Sequence, residues 1–270
     1  MPNPSRKLAF VTAATDHGMM IVNRFDQVIV NASDGYGVSL QLLEKASYDP
    51  EEVNLLLRVL DLRRRHYGDG VIAIDCGANL GVHTVEWAKH MTQWGAVLAI
   101  EAQERIYYAL AGNIAINNCF NARATHAAVS SHTDGMKMPV PNYVTPGSFG
   151  SLELKHRENT EFIGQAIDYS DAKMVDVPTV TLDSLRLPRI DLIKIDVEGM
   201  EIDALKGGVN CIGNLRPMLF VETIKSDKNA LGEWLANLGY RTIESGMNFF
   251  AIHNTDKAAA DIKIEKPAAA

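Results

Sequence analysis

Residues Leu192 to Leu205 read LIKIDVEGMEIDAL. The run Leu192-Ile193-Lys194-Ile195 has the length and apolar content of a buried strand, yet it ends in carboxylates, with Asp196 and Glu198 first and Glu201 and Asp203 close behind. Gly199 lets the backbone turn, and residues from about Met200 to Lys206 continue as a helix. If the chain stays extended through Val197, strand alternation points Asp196 and Glu198 to the same side. Open α/β sheets present ligand-binding groups at such strand ends. Glu201 and Asp203 fall in the first helical turn, where the helix dipole stabilises carboxylates regardless of function.

The same strand, turn and helix order recurs on either side. VIAID (71–75), AVLAIE (96–101), ARATHAAV (122–129), MVDVPTVTL (174–182) and PMLFVE (217–222) read as strands, and helical segments at 80–91, 104–118 and 228–239 separate them. This alternation implies an α/β fold with a mostly parallel sheet and crossover helices. Gly246, between YRTIES and NFFAIHN, implies a closing hairpin and an antiparallel last strand.

Residues 130–175 interrupt the rhythm with Gly135, Pro139, Pro141, Pro146 and Gly147, and long insertions of this kind often face substrate. Tyr143, Phe149, His156 and Phe162 are its expected contribution to an acceptor pocket. The expected organisation is an N-terminal extension over 1–68, a ligand-binding domain over 69–255, and a flexible tail over 256–270. The extension holds the short β-favouring pieces KLAFVT, MMIVN and QVIVN, followed by a helix from Asp49-Pro50 to His66 with Asp49 as N-cap.

The chain has 270 residues, 47% hydrophobic and 22% charged, enough for a sizeable core. A net charge of -7 offers no general attraction for a polyanion, so DNA is not an expected partner. Asp61–Gly68, DLRRRHYG, is a local basic stretch whose simpler reading is an exposed helix end. Cys76, Cys119 and Cys211 are odd in number and widely spaced, which suggests a reducing, cytoplasmic setting. The N-terminus lacks a continuous apolar leader, and no apolar run approaches the ~18 residues a membrane span requires.

IAIDCGANLGVHT (72–84) is a strand, an acidic residue and a Gly-x-x-x-Gly turn into a helix. Gly77 and Gly81 suit close backbone approach to a nucleotide-type ligand, but the spacing is not the Gly-x-Gly-x-x-Gly of dinucleotide folds. Asp75 would repel a pyrophosphate and suits a cofactor with a positive end, such as S-adenosylmethionine. Glu101, ending the second strand, can accept two hydrogen bonds from a ribose diol. Asn79 and His83 could face the cofactor's methionine end, whereas His126 reads as a histidine packed beside the sheet.

DCGANLGVHT, LAIEAQE, VTLDSL and, above all, IDLIKIDVEGMEIDALKG with LFVE resemble the FkbM-type methyltransferases over roughly residues 70–253. The resemblance implies a class I, Rossmann-like methyltransferase fold: a seven-stranded sheet with an antiparallel last strand and S-adenosyl-L-methionine across the strand ends. It also implies O-methylation of a hydroxyl on a sugar, glycan or small-molecule natural-product acceptor. The chain has Glu101-Ala102 where the family commonly has Glu-Pro, which leaves the carboxylate in place. The extension carries no family motif.

Oxygen methylation needs a proton acceptor. Asp196 or Glu198 is expected to deprotonate the acceptor while the other holds substrate or the cofactor's amino end. Glu201, Glu222 and His83 are further candidate walls, and Lys194 a partner for one carboxylate. Asp196, Glu198 and Glu222 are hard oxygen donors, but no spacing demands a metal and none is expected. The competing readings are an RNA or N-methyltransferase, an NAD-type oxidoreductase, and a non-catalytic S-adenosylmethionine-binding module.

Overall fold

The computed structural model describes residues 7–31 and 34–262. Two antiparallel hairpins open the chain: β1 (Phe10–Thr15) with β2 (Gly18–Asn23), then β3 (Val28–Asn31) with β4 (Asp34–Tyr36). Helix α1 (Val38–Lys45) was not foreseen from the sequence, and it buries Ser39, Leu40 and Leu42. Helix α2 (Pro50–Tyr67) follows, with Asp49 in the left-handed region at φ 37° and its side chain capping nothing. Asp49 thus occupies the N-cap position expected from the sequence without a capping hydrogen bond, and it lines the cavity described below.

Beyond α2 the chain alternates as expected: β5 (Val71–Cys76), α3 (Val82–His90), β6 (Gly95–Glu101), α4 (Glu104–Ile116) and β7 (Ala122–His126). The strand expected over 122–129 is broken at Ala127. Its last part, β8 (Ala128–Val129), leaves the sheet, and the Ala128 amide donates to the Pro178 carbonyl. The strand expected over 174–182 is likewise divided by Pro178, which has no N–H for a ladder. Its halves are β10 (Val175–Val177), antiparallel to β9 (Met136–Met138), and β11 (Thr179–Val180), parallel to β8. The chain then continues through β12 (Leu192–Ile195), α5 (Glu201–Lys206), α6 (Val209–Leu215), β13 (Met218–Glu222), α7 (Lys228–Asn237), β14 (Tyr240–Ser245) and β15 (Asn248–His253).

The central sheet has seven strands in the order β14-β15-β13-β12-β5-β6-β7, and β15 runs antiparallel to β13 and to β14. From β5 the chain winds outward to β6 and β7, then returns to start again at β12 on the other side of β5. Crossovers diverge at that reversal and leave a crevice over the carboxyl ends of β5 and β12. This order is the class I methyltransferase fold expected from the sequence.

Alternation divides the core between the two faces. Ala73, Leu192 and Phe220 pack with α2, α3 and the N-terminal hairpin, while Ile74, Ile193 and Val221 pack with α5, α6 and α7. Each fully buried Leu or Ile contributes roughly 2 kcal/mol. The stretch expected to be a flexible tail is folded as far as it is described: Lys257–Ala260 form a 3-10 turn, Ala258 is buried, and Asp256 binds Arg63 of α2. Residues 263–270 of that expected tail lie outside the described residues. No helix among the described residues is long and apolar enough to cross a membrane.

Candidate active site

A cavity of about 450 Å³ lies over the carboxyl ends of β5, β6, β12 and β13. Asp75, Glu101, Asp196 and Glu222 line it from those strand ends, and the same wall holds Gly77, Asn79, Gly81, His83 and Glu198. The extension supplies Tyr36, Tyr48, Asp49 and Glu52, a wall that no sequence motif indicated. The insertion contributes Ser148, Gly150, Ser151, Leu152, Leu154 and Glu161. The aromatic residues expected to shape the pocket do not line it. Phe149 is fully buried against Tyr143, Phe162 is exposed, and His156 packs on Tyr169. Phe149 and Tyr143 instead pack into the core shared with the N-terminal hairpin and α2.

The glycines of the turn answer to protein contacts. A Cβ on Gly77, at φ 75°, would lie 1.8 Å from the Asp196 carbonyl oxygen, and one on Gly81, at φ 85°, would lie 2.4 Å from Leu110 Cδ1. The close backbone approach at Gly77 is therefore that of the next strand. The amides of Gly77 and Ala78 donate to the Ile100 carbonyl, Gly81 to the Ala78 carbonyl, and Asn79 to Glu101 Oε2 at 2.9 Å. The amides of Gly77, Ala78, Asn79 and Gly81 are thus paired within the protein and are not donors to a pyrophosphate.

The two carboxylates expected to face a cofactor are buried. Asp75 Oδ2 accepts from Thr84 Oγ1 at 2.6 Å, while its Oδ1 is buried without a hydrogen-bond partner. Glu101 Oε1 also accepts from the Gln103 amide at 2.7 Å; burial pushes this carboxyl up to about 7, against the opposing pull of the amides. Each Glu101 oxygen retains a lone pair for a diol. His126 is packed beside the sheet as expected, 2.9 Å from the Ala102 carbonyl and stacked on Tyr107. His83 is buried rather than solvated, 3.2 Å from Glu52 Oε1 and beside Trp87, and Asn248 Nδ2 donates to Glu52 Oε2 at 3.1 Å.

At the mouth of β12, facing oxygens of Asp196, Glu198 and Glu222 lie within 4.8 Å of one another. Extended alternation does not bring Glu198 there. The strand ends at Ile195, and Glu198 is left-handed at φ 54° with Gly199 at φ 89°. Glu201 holds that turn: it is fully buried, accepts from the Val197 amide at 3.2 Å and the Gly199 amide at 3.0 Å, and binds the Ser226 hydroxyl. It is therefore a buried support behind the turn and not a cavity wall. Asp203 points outward and pairs with Lys155 at 2.7 Å.

Lysines partner two of the three mouth carboxylates. Lys194 Nζ lies 2.7 Å from Asp196 Oδ2, and Lys225 Nζ lies 2.5 Å from Glu198 Oε2 and 2.9 Å from Glu161 Oε2. Burial would lower the Lys194 ammonium, but Asp196, Asp75 and Glu52 raise it above its ordinary value. Burial and the nearby Asp196 charge push Glu198 well up, against Lys225. Burial likewise carries Glu222 to about 8, aided by Asp196 and Glu201. Glu222 Oε2 is buried and accepts no hydrogen bond. The three carboxylates are close enough to surround a cation, but the two ammonium groups already supply counter-charge, and no metal is assigned.

A sequence profile of the FkbM methyltransferase domain matches residues 75–242. The chain belongs to the FkbM methyltransferase family. The match takes in Asp75, Glu101, Asp196, Glu198 and Glu222, and leaves Glu52 and Asn248 outside. Methyltransferase sdnD of Sordaria araneosa is 29% identical over 157 aligned residues, covering 50% of this chain and 59% of that protein. The chain thus spans less than two thirds of that curated relative. Among solved structures, FkbM of Methylobacillus flagellatus is similar at 14% identity and a TM-score of 0.46, over 68% of this chain and 43% of that one. A SAM-dependent O-methyltransferase of Thermotoga maritima is similar at 12% identity and a TM-score of 0.45, over 92% of this chain and 86% of that one.

Proposed function

We propose that this FkbM-family methyltransferase transfers a methyl group from S-adenosyl-L-methionine to a hydroxyl of a sugar, glycan or other small-molecule acceptor. The observation that carries this reading is the buried Asp75 Oδ1, without a hydrogen-bond partner, in a cavity whose turn has the amides of Gly77, Ala78, Asn79 and Gly81 already paired. A cationic cofactor would add to the counter-charge that Lys194 gives this carboxylate, and Glu101 presents two acceptors to a ribose. When bound, S-adenosylmethionine supplies a methyl group activated by its sulfonium. Asp75, Gly77, Asn79, Gly81 and Glu101 form the cofactor side, while Asp196, Glu198 and Glu222 face the acceptor, with His83 and Glu52 as a neighbouring wall.

The carboxylates also favour a neutral or cationic acceptor over RNA. Lys194 and Lys225 line the cavity but are already ion-paired. Calorimetric titration should show binding of S-adenosylmethionine and of S-adenosylhomocysteine, with no binding of reduced nicotinamide dinucleotide. Labelled methyl transfer should then reach hydroxylated small molecules and not RNA. Binding of the nicotinamide cofactor, or labelling of RNA alone, would remove this reading; cofactor binding without transfer to any acceptor would favour a non-catalytic module.

A further inference from the structure

Within the methyl-transfer reading, on which this inference rests, the acceptor's proton needs a place to go. The three mouth carboxylates are not equivalent. Asp196 Oδ2 is held by Lys194 and Glu198 Oε2 by Lys225, so a proton moved to either of those oxygens has to displace an ammonium group. Glu222 forms no ion pair with any lysine or arginine among the described residues, and it lines the cavity. It also closes β13 beside β12, with its oxygens within reach of those of Asp196.

We propose that Glu222 is the general base: the acceptor hydroxyl donates a hydrogen bond to the Glu222 carboxylate and loses its proton to it as it attacks the methyl group. The new bond is oxygen to carbon. The methyl carbon leaves the sulfur, which keeps the electron pair and becomes a neutral thioether, and the proton on Glu222 later passes to water. Asp196, fixed by Lys194, acts as a positioning residue that keeps negative charge beside the base, while Lys225 holds Glu198 in place.

The groups facing Glu222 support this assignment. Lys194 and Asp196 come from β12, Glu198 from the turn, Glu201 from the start of α5 and Lys225 from the segment after β13. Asn248, its cross-strand partner on β15, is held by Glu52 of α2. Burial is the largest influence, the carboxylates add to it and the two lysines oppose it, leaving the carboxyl at about 8. A base in that range is only about one-tenth ionised at pH 7, and its ionised form takes a proton readily.

The test uses the full-length protein and a hydroxyl acceptor that it methylates, with kcat measured against pH. The wild type should show an acid limb with a midpoint near 8. Glu222→Gln should lower kcat about 100-fold or more and abolish the limb, with S-adenosylmethionine binding retained. Glu222→Asp should recover part of the rate and keep a limb. Asp196→Asn removes the largest neighbouring charge that raises Glu222, so its limb should persist and move to lower pH. Glu222→Gln within about threefold of wild type with an unchanged limb overturns the assignment, as does loss of the limb in Asp196→Asn or loss of turnover on adding a chelator. If Glu222→Gln does not fold, the Glu222→Asp and Asp196→Asn profiles decide. Methylation of no acceptor at all defeats the broader reading, whereas methylation with an unaltered Glu222→Gln profile removes Glu222 alone.

Discussion

At the scale of single residues, burial decides what each carboxylate does. Glu201 and Asp203 are two positions apart on one short helix, yet Glu201 is sealed beneath a turn and Asp203 faces solvent with Lys155. The sequence placed both in a first helical turn, and the helix dipole treats them alike. What separates them is the path of residues 197–199, set by a left-handed Glu198 and Gly199. Glu101 shows the energetic side of burial. Its carboxyl is raised from 4.5 to about 7, so between those values the folded protein keeps a proton that the unfolded chain has released. Stability therefore declines as pH rises through that window and levels off above it. Between about pH 5 and about pH 8, wild type should lose on the order of 2–3 kcal/mol more than Glu101→Gln in urea titrations. Parallel slopes for the two proteins would refute this.

At the scale of elements, the sheet strands were legible because buried parallel strands are short apolar runs ended by turn residues. Short strands outside the main sheet were not, since two-residue pairings such as β8 with β11 leave no periodicity to detect. The insertion was recognisable as an insertion, but its inner face depends on contacts distant in sequence. Lys225 Nζ lies 2.8 Å from the Ser151 carbonyl, and Arg157 joins the Lys225 carbonyl at 2.6 Å to Glu153 at 2.7 Å. The same guanidinium lies over Gly199, where a Cβ would approach it to 2.5 Å. Arg157→Ala should therefore loosen the insertion over the turn, raising the acceptor KM roughly fivefold, about 1 kcal/mol, and speeding proteolysis within 130–175. If KM and the cleavage rate both match wild type, the insertion is held by other contacts.

At the scale of the whole molecule, α2 and the segment after β15 are built into the sheet's surroundings. Arg63 of α2 is buried between Asp191, which precedes β12, and Asp256, which follows β15; Tyr67 Oη also donates to Asp256 at 3.0 Å. Asp191 Oδ2 in turn accepts from the Ile72 amide of β5 at 2.9 Å. Removing one partner of a buried pair strands the other, so Asp256→Ala should destabilise the protein by about 3 kcal/mol in urea titrations. A change below about 0.5 kcal/mol would mean that Asp191 alone satisfies Arg63. Local sequence determined the order of strands and helices, the family, and which strands end in acid, because periodicity and turn chemistry act over a few neighbouring residues. It did not determine that α2 and the hairpins wall the cavity, that Glu201 is a support, or that two mouth carboxylates are ion-paired while Glu222 is not. Those depend on contacts between residues far apart in the chain, and only the packed structure sets the burial and partner of each charge.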